Sequence, residues 1–207
     1  MPDRVHIAAA MPADVDDAVD VLATAFADDP ITGFLLETGP GYRARLTQFF
    51  SLLMEARLAL AMPVLVARST FGIHGAAMGY STARPAWPAE LSTRWDQFEQ
   101  ATPGMTDRMA CYDDIAEQFK PRQPHHYLGV IGTNPAMHGQ GIGTQLLHAF
   151  CSRSAADPLS AGVYLETANP SNVRFYERAG FAVTGEGRMG DAHLRCMFRA
   201  REKAQSN

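Results

Sequence analysis
Cysteine is scarce in this 207-residue chain, and its pattern builds nothing. Cys111, Cys151 and Cys196 are odd in number, widely spaced and in no CxxC pair. That argues against a disulfide framework and a zinc site, so no metal is expected and a reducing compartment is the simpler assumption. Charge is sparse as well: 19% of residues are charged and the net charge is −4. Nothing draws the chain globally to nucleic acid, so any anionic ligand must be held by local donors. No apolar run approaches a membrane span, and Ile7-Ala-Ala-Ala-Met11 is too short for a signal h-region and is followed by acidic residues. The expectation is a cytoplasmic protein with neither a nucleic-acid nor a membrane partner. Repeats, low-complexity tracts and interdomain linkers are also missing. What is present is 46% hydrophobic, which fits a soluble globular protein, and the length fits one domain over residues 1–207.

The periodicities predict an α/β domain with a mixed sheet. Arg4–Ala8 reads as a short strand. Pro12 and Asp14 open a helix with Val15, Ala18, Val19, Leu22 and Phe26 on one face, which Asp28-Asp29-Pro30 stops. A loop around Phe34–Leu36 follows, then a helix with Tyr42, Leu46, Phe49, Phe50 and Leu53 in a stripe. Both stripes read as core packing. Pro63–Ala67 and Ile73–Ser81 form a hairpin about Phe71-Gly72. Residues 84–123 hold both tryptophans, Trp87 and Trp95, and two helical stretches, near Ala89–Ala101 and Met105–Phe119. This segment is either a helical insertion on the substrate side or helices packed on a sheet. Tyr127–Thr133 is apolar on both faces, as in a central strand. Val163–Thr167 is the next strand, and Asn169-Pro170 starts a helix that Gly180 ends. Phe181–Thr184 and His193–Phe198 are the last strands, and the polar tail Arg201–Asn207 is expected to fray.

The stretch that carries chemistry is Gly139-Gln140-Gly141-Ile142-Gly143-Thr144, between the apolar strand and a helix with Ile142, Leu146, Leu147 and Phe150 on one side. A helix start presents unpaired N–H groups and partial positive charge, and glycine admits a bulky anion close to the backbone. The loop therefore suits a phosphate. It lacks the lysine of a Walker A loop. It also fails G-x-G-x-x-G, because Thr144 or Leu146 falls where the last glycine belongs. A plain strand-to-helix turn remains open on spacing alone.

Two segments together resemble the GNAT (GCN5-related N-acetyltransferase) family. Pro135–Gly143 is similar to its Q/R-x-x-G-x-G/A acetyl-CoA loop, and Asn169–Phe181 to its N-x-x-A/S-x-x-x-Y segment with the Gly-Phe that follows. The resemblance covers roughly residues 125–198. Two positions depart from it: His138 stands where Gln or Arg is usual, and Asn172 where Ala or Ser is. Imidazole still donates a hydrogen bond, though pH-sensitively.

The resemblance implies a mostly antiparallel central sheet, splayed between its two middle strands and flanked by helices. It implies acetyl-CoA as cosubstrate. Ile131, Gly132 and Thr133 would pair with the pantetheine arm; His138, Gly139, Gln140, Gly141, Ile142, Gly143 and Thr144 would hold the pyrophosphate. Asn169, Asn172 and Tyr176 would complete the cofactor path, although Asn169 serves equally as an N-cap. Arg174 and Arg178 are weaker candidates for a terminal phosphate. The reaction would be direct attack of a small-molecule or peptide amine in a ternary complex, with Tyr176 protonating the leaving sulfur and a backbone N–H near Ile131 facing the oxyanion. Glu166, flanked by Leu165, is the candidate base if it faces the cleft; His125, His126 and a water chain compete with it. A non-catalytic acyl-CoA-binding module and a nucleotide-phosphate protein are the rival readings. The acceptor would be read by the loop after Phe26, the strand at Met78–Ser81 and the segment Arg84–Gln123; its identity and the acyl chain are left open, and a homodimer is compatible with the sequence.

Overall fold
The structure is a computed structural model, described here for residues 4–201. Residues 202–207 of the polar tail lie outside the described residues. Strands and helices follow as β1 (His6–Ala9), α1 (Val15–Ala25), α2 (Pro30–Leu36), α3 (Tyr42–Ala59), β2 (Val64–Ser69) and β3 (Gly72–Tyr80). Then come α4 (Ala89–Ala101), α5 (Met105–Phe119), β4 (His126–Thr133) and α6 (Ile142–Ala156). The chain ends with β5 (Gly162–Thr167), α7 (Pro170–Arg178), β6 (Ala182–Met189) and β7 (Ala192–Ala200). Short 3-10 turns at Pro12–Asp14 and Pro135–Met137 lead into α1 and toward α6. No helix among the described residues is long and apolar enough to cross a membrane.

The seven strands form one sheet in the order β1-β2-β3-β4-β5-β7-β6. Every neighbouring pair is antiparallel except β4–β5, which is parallel and holds only at His126↔Val163 and Tyr127↔Tyr164. Beyond Tyr127 the two strands separate. The sheet is therefore mixed, mostly antiparallel and splayed between its middle strands, as the resemblance implied.

Two apolar cores sandwich the sheet. One face packs on α1 and α3 through Leu22, Leu46, Phe50, Val66, Met78 and Val130. The other packs on α6 through Leu65, Leu128, Leu146, Phe150, Leu165 and Met197. Burial of each such large side chain is worth roughly 1.5–3 kcal/mol. Leu128 and Val130 lie two apart yet belong to opposite cores. A β-bulge reconciles this: Met78 pairs with Val130 and Gly79 with Leu128, leaving Gly129 as the extra residue. A bulge bends and over-twists its strand, and here it sits just where β4 parts from β5.

Three local expectations change. The segment Phe34–Leu36 is not loop but the end of α2, whose N-cap Asp29 accepts from the N–H groups of Ile31 and Thr32, both at 3.0 Å. Asp29-Pro30 thus starts a helix as well as ending the approach from α1. The last two strands are longer than expected and form a hairpin turning at Gly190, φ +57°. Their polar and glycine positions answer to α5: a Cβ at Gly185 would lie 2.1 Å from Phe119, and one at Gly187 2.8 Å from Ile115. Helix α5 therefore lies directly on β6.

Gly79 is fixed by the bulge. A Cβ there would sit 1.8 Å from the Tyr127 carbonyl oxygen. Gly79→Ala is expected to lower unfolding stability by about 2 kcal/mol or more by prying β3 from β4, read as a shift of the urea midpoint.

Candidate active site
The glycine loop is shaped by its backbone. After β4, Asn134 Oδ1 accepts from the Ala136 N–H at 3.0 Å and starts the turn. Gly139 and Gly141 then take φ of +82° and +75°, and nothing lies within 4 Å of where a Cβ would stand on either. Such angles favour glycine. Gly141 caps α6 with no side-chain bond, and the first main-chain bond of the helix runs from the Gln145 N–H to the Gly141 carbonyl, at 3.0 Å. The N–H groups of Ile142, Gly143 and Thr144 thus have no protein acceptor among the described residues and face a groove of about 640 Å³. Three free amides on a helix axis fit a pyrophosphate.

Ile131, Gly132, Thr133, His138, Gly139, Gly141, Ile142, Gly143 and Thr144 line this groove, and so do Asn169, Asn172 and Tyr176. Gln140 does not; it is exposed, its amide 3.5 Å from Met137 Sδ. Arg178 lines the groove and Arg174 does not. The groove runs into the gap where β4 and β5 diverge, so main-chain groups along β4 past Tyr127 are left without a partner strand on that side. Asn169 N-caps α7: its Oδ1 accepts from the Ser171 N–H at 3.0 Å and from Ser171 Oγ at 2.8 Å.

Beyond the gap lies a second cavity of about 380 Å³ between the sheet and helices α2, α3, α4 and α5. Cavity and groove share five residues: Phe26, Asp29, Ile131, Asn172 and Tyr176. Tyr176 therefore stands at the passage. It is buried, and its hydroxyl bonds to no described residue. Burial, with the Asp29 carboxylate adding to it, raises its pKa well above that of a free phenol, so the proton stays on at neutral pH.

Glu166 faces the cavity. Its neighbours on β5, Val163 and Leu165, enter the core against α6, and strand alternation sends Tyr164 and Glu166 the other way. Tyr112 Oη donates to Glu166 Oε2 at 2.9 Å and lies 3.1 Å from Tyr127 Oη. Tyr164 Oη donates to the Ala116 carbonyl at 3.0 Å, anchoring α5 over this face. Burial pushes the Glu166 carboxyl up, the phenols around it, led by the Tyr112 hydrogen bond, pull it back, and Asp113 adds repulsion; the result is a pKa of about 7. A carboxylate so poised changes charge across the neutral range.

The competing histidines are elsewhere. His125 Nδ1 lies 2.7 Å from the Gln123 carbonyl oxygen, and His126 Nε2 meets Asp157 Oδ2 at 3.1 Å. Burial lowers the pKa of each. Both sit at the paired end of β4, and neither lines groove or cavity. No group of His, Cys, Asp and Glu among the described residues is arranged to hold a metal.

Several site residues carry no motif of their own, although Asp29, Tyr80 and Tyr112 fall in the segments expected to read the acceptor. Asp29, Arg57, Tyr80, Tyr112 and Tyr127 all line the cavity. Arg57 lies in the last turn of α3, in line with the core stripe of Leu46, Phe50 and Leu53, and it is only 4% exposed. Its Nη1 donates to the Leu53 carbonyl at 2.9 Å, and its guanidinium carbon lies 4.8 Å from the centre of the Tyr80 ring. Tyr80 is itself held by Trp87 Nε1, which donates to its hydroxyl at 2.7 Å. An arginine in an apolar stripe was the one signal that pointed to Arg57.

Comparison with known proteins agrees with this geometry. Residues 74–181, just over half of the chain, match the Acetyltransferase (GNAT) family. Among solved structures, a Corynebacterium glutamicum protein, "histone acetyltransferase HPA2 and related acetyltransferase", is 26% identical over 98% of this chain and 99% of that one, with a TM-score of 0.73. A Brucella melitensis GNAT family acetyltransferase solved in complex with acetyl-CoA is 16% identical over 99% and 94%, with a TM-score of 0.53. The Escherichia coli ribosomal-protein-S18-alanine N-acetyltransferase is 14% identical over 99% and 98%, with a TM-score of 0.57. At those identities the last two bear on the fold alone. With the family match spanning the hairpin strand, the glycine loop and the Asn169–Tyr176 helix, this chain belongs to the GNAT acetyltransferase family.

Proposed function
We propose that this protein transfers an acetyl group from acetyl-CoA to the primary amine of a small molecule, by direct attack in a ternary complex. The observation that carries the reading is the meeting of groove and cavity at Tyr176. A glycine-loop groove reaches that point from one side, and a cavity walled by Glu166 reaches it from the other.

In this reading the free amides of Ile142, Gly143 and Thr144 hold the pyrophosphate, and the unpaired edge of β4 guides the pantetheine arm as an added strand would. The thioester then lies beside Tyr176. The amine nitrogen bonds to the carbonyl carbon while main-chain N–H groups near Ile131 face the oxygen that gains charge. Glu166 takes the proton the amine loses. As the carbon–sulfur bond breaks, Tyr176 gives its proton to the departing sulfur. Asp29, close enough to raise the Tyr176 pKa, helps keep that proton in place. The three free thiols accord with a cytoplasmic setting.

Tyr176→Phe is expected to cut kcat by about 10²-fold or more while leaving the calorimetric affinity for acetyl-CoA within a small factor of wild type. An equal loss of both would assign Tyr176 to binding alone. Gly141→Val, strained at φ +75°, is expected to lower the melting temperature by a few degrees, about 1–3 kcal/mol of strain, while the protein stays folded, and to weaken acetyl-CoA binding; unchanged affinity would place the pyrophosphate elsewhere.

The pH dependence follows from Glu166. A base acts only when ionised, and this carboxyl is raised to about 7 from a usual value near ~4.3. Activity is therefore expected to fall as pH drops through about 7 rather than only below ~5. Glu166→Gln should remove that limb and lower kcat by about 10²-fold, leaving the acceptor ammonium's own titration in the profile. A limb near 7 surviving in the variant would exclude Glu166 as the base.

A further inference from the structure
The cavity that receives the acceptor contains a cation with no counter-ion. Arg57 is 4% exposed. Of its donors, Nη1 meets the Leu53 carbonyl, while Nε is enclosed with no hydrogen-bond partner. Nη2 has no acceptor among the described residues and borders Gly129, where a Cβ would stand 3.4 Å from it. No carboxylate among the described residues forms a salt bridge to Arg57; the nearby acidic residue on its own helix, Glu55, is taken by Arg94. The groups facing the guanidinium are phenols: Tyr80, Tyr112 and Tyr127. Removing a guanidinium from water without a partner is costly, and Arg is retained in such places where a planar anion completes its fork.

The rest of the wall carries the opposite sign as well. Glu166, Asp113 and Asp29 line the same cavity as Arg57. An acceptor that carries both an amine and an anionic group matches a cavity holding both signs. Aromatic rings line the same space: Phe49 and Trp95 are 5.7 Å apart, Trp95 and Trp87 5.4 Å. At about 380 Å³ the space suits a small molecule rather than a folded partner.

Resting on the acetyltransferase reading above, we propose that the acceptor is a small amine that also carries a carboxylate on an apolar or aromatic body, with Arg57 as the carboxylate's seat. The amine then points toward Glu166 and Tyr176, and the ring system lies against Trp87, Trp95 and Phe49. Arg57 is a specificity-determining residue in this arrangement; it takes no proton and touches no reacting atom. Glycine at position 129 keeps the approach to Nη2 open.

The test separates anion recognition from catalysis by using ligands that cannot react. Calorimetry on the full chain with coenzyme A bound would compare 3-phenylpropionate with 3-phenylpropanamide, equal in shape and differing in charge. The carboxylate is expected to bind about tenfold tighter or more, and Arg57→Gln to bring the two within about threefold, with Arg57→Lys recovering part of the gap. Coenzyme A affinity and melting temperature report whether each variant is folded. Should Arg57→Gln fail to fold, the wild-type comparison decides, joined by kcat/KM for phenylalanine against phenylalaninamide at matched concentrations of neutral amine. Equal affinities in wild type, or a preference that survives Arg57→Gln, would overturn the proposal. Thiol release from acetyl-CoA without any carboxylate preference rejects the Arg57 site and keeps the transferase. Carboxylate preference with no thiol release from any amine keeps the site and rejects the transferase.

Discussion
The parallel contact between β4 and β5 lasts two residue pairs, and that brevity governs what lies around it. Parallel strands normally continue side by side, with every main-chain group paired. Here the Gly129 bulge rotates β4 as it leaves Tyr127, so that Leu128 and Val130 enter opposite cores. The strand remains well held by β3 on one side and is free on the other. Unsatisfied N–H and C=O groups at the centre of a sheet are costly unless something else satisfies them. An extended amide-bearing chain is what such an edge accommodates. The splay is built from backbone, and in the function proposed above it serves as the binding edge; solved structures 14–26% identical share the fold.

The same opening joins two chemistries. On the α6 side, glycine conformations and a helix start leave amides facing a groove. On the α5 side, three phenols surround a carboxylate in a partly apolar cavity. Neither half is unusual alone. Their shared boundary, with Tyr176 and Asp29 in it, is what brings the Tyr176 hydroxyl and the Glu166 carboxyl to one connected space. Burial acts in the same direction on both groups: it holds the proton on Tyr176 and raises Glu166 into the neutral range.

Much of this was legible in the residues, and the failures have physical causes. The amphipathic stripes of α1, α3 and α6 appear as read, because one buried helix face dictates one apolar stripe. The bounds of α4 and α5 match the expected Ala89–Ala101 and Met105–Phe119. Asn169-Pro170 was recognised as a helix start, while the equivalent Asp29-Pro30 was taken for a stop, since a short helix of seven residues offers little periodicity. The extent of β6 was hidden by Gly185 and Gly187, which depress strand character locally but are required where Phe119 and Ile115 press on the sheet. Residues 84–123 illustrate a different limit. The packing alternative is what the structure displays, since Phe119 of α5 lies on β6, and the same helix also lends Tyr112 to the cavity wall.

The residues of the glycine-loop groove were readable one by one and those of the cavity only as segments, for a reason rooted in how each is built. A phosphate seat is made from consecutive residues, so its glycines sit together in the sequence. The acceptor cavity is assembled from Asp29, Arg57, Tyr80, Trp87, Tyr112, Tyr127 and Glu166, contributed by separate elements across 138 positions of chain. No local pattern announces such a set; only burial does. Arg57 makes the point sharply. On a helix surface it would be one more solvated cation, with its donors satisfied by water. Beneath α4 and α5, with Tyr80 against it and its Nε unmatched, it becomes a statement about what the cavity is missing. A buried cation without a partner constrains the ligand more tightly than the apolar walls do. Walls of that kind accept many shapes, whereas an unpaired guanidinium rejects every neutral group that fails to satisfy it.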